Sequence, residues 1–148
     1  MKTMPMSKTR ALFGASLFFG YSLSAFADEV HTPAGGDPQR TAILDTLHHT
    51  YTTGSGPNVR FLVKYLKVHD GWAWIKVVPL DPKGTAEGDE WPSLLQNQNG
   101  KWVEIDLIAV AQNFAEADGP ADPSARYVKA LQNKYPGLPG DIVPAKQH

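Results

Sequence analysis

Two stretches interrupt the chain's polar positions with apolar runs, VHDGWAWIKVVPL at residues 68–80 and NQNGKWVEIDL at residues 97–107. In each, a turn dipeptide, Asp70-Gly71 or Asn99-Gly100, stands just before a tryptophan-led apolar run. A two-residue hairpin at the first turn pairs His69 with Trp72, Val68 with Ala73, Lys67 with Trp74, Leu66 with Ile75 and Tyr65 with Lys76. One face of that hairpin is then aliphatic (Leu66, Val68, Ala73, Ile75, Val77), and the other is amphipathic and aromatic (Tyr65, Lys67, His69, Trp72, Trp74, Lys76). Upstream of Lys64 the apolar residues Val59, Phe61 and Val63 switch parity, which predicts a β-bulge near Lys64-Tyr65 and a curved sheet. In the second hairpin Leu94, Val103 and Ile105 share one face, while Leu95, Asn97, Trp102, Glu104 and Asp106 take the other.

Around these four strands the period changes. Asp37-Pro38 reads as an N-cap with proline at the first helical position, opening DPQRTAILDTLHHTY with Ile43, Leu44, Leu47 and Tyr51 on one face, and TTGSGPN ends it. PLDPKGTAEGDEWP, between the hairpins, reads as a polar loop. LIAVAQNFAEA forms a short helix, and DPSARYVKALQNKYPG repeats the Asp-Pro opening before a helix closed by Pro136-Gly137. The closing LPGDIVPAKQH has no periodicity. Together these elements predict an α+β fold: an N-terminal helix packed on a curved four-stranded antiparallel sheet, with C-terminal helical segments.

The N-terminus changes the context. Lys2, Lys8 and Arg10 precede an apolar run from Ala11 to Phe26 that closes in Ala25-Phe26-Ala27, the pattern of a secretory signal peptide cut after Ala27. Residues 28–36 then read as a flexible tail and 37–148 as a single domain of periplasmic or secreted location. The leader holds three of the fourteen basic residues and none of the fifteen acidic ones, so the mature chain carries a net charge of about −4. An acidic chain with scattered lysines predicts no nucleic-acid footprint, and no segment after the leader approaches the apolar length that membrane insertion requires.

The helix, the hairpin VRFLVKYLKVHDGWAWIKVVPL and GKWVEIDLIAV resemble the small exported, largely uncharacterised bacterial proteins with a cystatin-like or NTF2-like roll. That resemblance implies architecture and transfers no catalytic residue. NTF2-like enzymes place one acid/base residue in the open end of a cone, for which Asp45, His49, Glu104 and Asp106 are the candidates here.

Other chemistry is thinly represented. His48-His49 are adjacent and point about 100° apart on a helix, where zinc pairs need spacing of four, so no metal or other cofactor is expected. Ser93 reads as a strand-edge residue and Ser124 as a helix-start residue. The aromatic residues Tyr65, Lys67, Trp72, Trp74 and Trp102 form the candidate binding face, with Lys67 in cation–π range of Trp74. Such a face suits a protein, glycan or small-molecule partner of a non-catalytic monomer or weak dimer; the same pattern arises when a second helix, through Tyr127, Val128 and Leu131, covers the sheet.

Overall fold

The computed structural model describes residues 29–55, 59–115 and 118–144. The leader predicted over residues 1–27 lies outside them. The architecture is α+β, with helix α1 (Pro38–Ser55) packed on a curled antiparallel sheet. The strands β1 (Arg60–His69), β2 (Trp72–Leu80), β3 (Trp91–Gln98) and β4 (Lys101–Ile105) pair in sequence order. A single turn of helix, α2 (Ile108–Ala111), follows the sheet, then α3 (Ala125–Lys134) and a 3-10 turn at Gly140–Ile142.

Both hairpins close as their dipeptides dictate. Asp70 and Gly71 have φ of 47° and 74°, and Asn99 and Gly100 have φ of 54° and 86°. Two consecutive left-handed residues are what a type I′ turn requires. The pairs His69–Trp72 through Tyr65–Lys76 form as the turn predicts, and the register slips between Val63 and Tyr65, where the bulge was expected. Asp37 caps α1 by accepting a hydrogen bond from the Gln39 N–H at 2.8 Å. The helix runs to Ser55, past the end predicted at Tyr51. Ser124, not Asp122, caps α3: its side chain accepts from the Tyr127 N–H at 3.1 Å.

The sheet is covered on both faces. On one, Ile43 and Leu47 of α1 are fully buried against Leu66, Val68, Ala73, Ile75, Val77, Leu95 and Trp102. On the other, Trp72, Trp74 and Leu94 pack under Tyr127 and Leu131 of α3 and under Leu138, Ile142 and Val143 of the aperiodic C-terminal stretch. The segment predicted as a flexible tail is fastened instead. His31 exchanges two backbone hydrogen bonds with Val68, at 2.9 and 2.8 Å, Thr32 donates to the Leu66 carbonyl, and Pro33 is buried. The edge of β1 supplies unpaired backbone groups, and this short segment satisfies them.

Candidate functional site

The tryptophan face is not an open platform. Trp74 is fully buried and Trp72 retains 5% of its exposure, because α3 and the C-terminal turn cover that side. Tyr65 is tied into the same cover through a 2.9 Å hydrogen bond from its hydroxyl to the Ile142 carbonyl; burial, then the nearby Asp141, raise its pKa. Trp102 lies on the opposite face, under α1. The reason is the register between the hairpins: Trp74 pairs with Leu94 and Ala73 with Leu95, so Leu95 and Trp102 join the aliphatic side of the first hairpin. Lys67 stands opposite Trp74 in the ladder, but the cation–π contacts among the described residues are Arg126 over Phe114 and Lys134 over Tyr135.

A different site arises from unequal strand lengths. β3 has eight residues and β4 five, and β4 stops pairing at the Leu94–Ile105 step. Trp91, Pro92 and Ser93 therefore pair with β2 alone, which tolerates a proline lacking its N–H. Beyond the end of β4 the chain turns away: Asp106 accepts from the Ile108 N–H at 2.9 Å and starts α2. The notch between these elements is a cavity of about 580 Å³. Trp91, Pro92 and Ser93 form one wall, and Glu104, Ile105 and Asp106 another. Leu107 just before α2 and Ile108 and Ala111 within it close a further side, with Thr50 from α1 and Pro120 from the segment before α3.

This cavity is mostly apolar, with Thr50, Ser93, Glu104 and Asp106 as its polar lining. The fully buried Ser93 hydroxyl donates to Glu104 Oε1 at 2.7 Å and so fixes the carboxylate at the wall. Tyr51 packs edge-on against both Trp91 (5.3 Å) and Phe61 (5.1 Å), and His48 stacks on Phe61 at 4.8 Å. Burial, with Glu104 as the second cause, pushes the Tyr51 phenol up to about 12. A second cavity of about 530 Å³ shares Thr50 and Glu104 with the first, and brings Asp45, His49 and Lys101 to its wall. Of the four acid/base candidates, Glu104 thus faces both cavities, Asp106 the first, and Asp45 and His49 the second. Among the described residues no three His, Asp or Glu side chains gather as a metal site.

Compared with known proteins, the chain matches no family model, no curated protein and no solved structure. The site therefore has to be judged on its own geometry. Of the lining residues, the sequence pattern singles out neither Trp91 nor Ile108 and reads Ser93 only as a strand-edge residue. Trp91 sits at the end of an acidic loop, GDEWP, and a lone indole in such a polar run was the available signal. Ser93 takes its role from the cross-strand neighbour Glu104, which becomes visible only once the hairpin is folded.

Proposed function

We propose that the chain is an exported, non-catalytic binding protein of the cell envelope, and that it binds through the apolar cavity where β3 outruns β4. Export rests on the leader pattern of residues 1–27. One observation carries the site: among the described residues three large apolar side chains are exposed, and two of them, Trp91 at 51% and Ile108 at 70%, border this one cavity. Apolar groups left in water around a concave, mostly apolar wall gain by being covered. The cavity volume falls within the roughly 300–1,000 Å³ of small-molecule sites. An inhibitor, an immunity-type protein and an envelope accessory module all fit a binding role of this kind.

The neutral dye N-phenyl-1-naphthylamine tests it, because its fluorescence rises in apolar surroundings. Saturable enhancement is expected, lost in Ile108→Asp while the unfolding midpoint stays put. No enhancement, or equal enhancement in the variant, overturns the proposal. A second reading, a small NTF2-like enzyme with a single acid/base residue, draws on the Glu104 carboxylate at the same wall. Binding is better supported because a complementary carboxylate needs no partner acid, whereas acid/base turnover needs a positioned group for each proton.

A further inference from the structure

We infer that the ligand of this cavity is an organic cation, an apolar body carrying an ammonium group that sits against Glu104; the inference rests on the binding reading above. The first cavity is lined by two carboxylates, Glu104 and Asp106, and by no lysine or arginine. The adjoining cavity adds Asp45 and His49, with Lys101 as its one lysine. Among the described residues no lysine or arginine forms an ion pair with Glu104, Asp106 or Asp45.

The position of Glu104 matters more than the number of acids. It stands partly buried between apolar walls, where a charge interacts over a lower effective dielectric than in water. Ser93 engages Oε1 from beneath, which fixes the group. That geometry suits a donor or cation arriving from the cavity and opposes an anion. Trp91, half-exposed at the mouth, adds an aromatic ring of the kind that attracts ammonium groups. The apolar body of the ligand would then lie along Ile105, Leu107 and Ile108.

Three probes with the same eight-carbon tail separate the terms: octyltrimethylammonium, octan-1-ol and octyl sulfate, each titrated below its micelle concentration and followed by intrinsic tryptophan fluorescence, with Trp91→Phe identifying the part of the signal that belongs to Trp91 among the four tryptophans. The cation should bind at least about tenfold tighter than the alcohol, since one carboxylate and one aromatic face together supply that much. The sulfate should bind more weakly than either, and added salt should narrow the gap. Glu104→Gln, which keeps an oxygen for the Ser93 hydroxyl, should bring cation and alcohol to near equality. If the variant is too unstable to titrate, Asp106→Asn, which still offers an oxygen to the Ile108 N–H, should shrink the preference by a smaller factor. Equal binding of all three probes overturns the charge assignment and leaves the cavity standing. No binding of any probe overturns the cavity itself, and a cation preference that survives Glu104→Gln overturns the role of that residue.

Discussion

Truncating Trp74 tests the packing that moved the site away from the tryptophan face. Its indole is fully buried beneath Tyr127 and Leu131, and its Nε1–H has no hydrogen-bond partner among the described residues. An indole of this kind buries roughly 150–250 Å², which at about 25 cal/mol per Å² is worth about 4–6 kcal/mol at most. Alanine retains part of that area and the cover relaxes, so core Trp→Ala changes cost about 3–5 kcal/mol. Here the lower end applies, because truncation also removes a buried donor whose unsatisfied state costs about 1–3 kcal/mol. Trp74→Ala should therefore lose about 3 kcal/mol, while Trp74→Phe, which keeps a ring and drops the donor, should stay within about 1 kcal/mol of wild type. Ile75→Ala, on the opposite face under α1, should lose about 2–4 kcal/mol. Urea unfolding followed by circular dichroism gives all three from the shift in midpoint at constant slope. A loss below about 1 kcal/mol for Trp74→Ala would refute the covered face, since an exposed aromatic contributes that little to folding.

The remaining expectations are simpler. Gly71→Val should destabilise by roughly 1–2 kcal/mol or more through backbone strain, since Gly71 has φ of 74° and an added Cβ meets Asn97 only at ordinary contact distance; an unchanged urea midpoint would deny the type I′ turn. The Tyr51 and Tyr127 phenols are both pushed up to about 12 by burial, with Glu104 a second cause at Tyr51 alone. A phenol that keeps its proton longer when folded stabilises the fold below pH 10, and that contribution disappears as pH rises from about 10 to about 12. Tyrosinate absorbance should show Glu104→Gln lowering the Tyr51 midpoint and leaving Tyr127 unmoved. Terminal sequencing of exported protein should give Asp28 as the first residue, and recovery of the full chain from membranes would overturn the leader.

The hairpins were legible because Asp-Gly and Asn-Gly fix both turn type and pairing, and a two-residue loop leaves no freedom of register. How the hairpins join was not, because the ten residues between Leu80 and Trp91 set no register by themselves. That gap put Trp102 on the wrong side of the sheet. Leu138, Ile142 and Val143 were missed for another reason: they pack as an irregular strap, and apolar residues without a repeat give no periodic signal. Residues 28–36 read as a flexible tail because the anchor at His31 is a backbone pairing with Val68, which side-chain pattern does not encode. The cavity follows from β4 stopping three residues short of β3, a property of two strands together rather than of any one segment.

The central claim is that ligands meet Trp91 at the notch and not Trp72 and Trp74 under α3. The chain has four tryptophans, each giving one indole N–H resonance, and Trp91→Phe, Trp72→Phe and Trp74→Phe each identify one by deletion. Titration with octan-1-ol, watched by nitrogen-15 NMR, should move the Trp91 resonance saturably while those of Trp72 and Trp74 hold still. Movement of the Trp72 and Trp74 resonances with Trp91 unmoved would contradict the account and return the binding surface to the opposite face of the sheet.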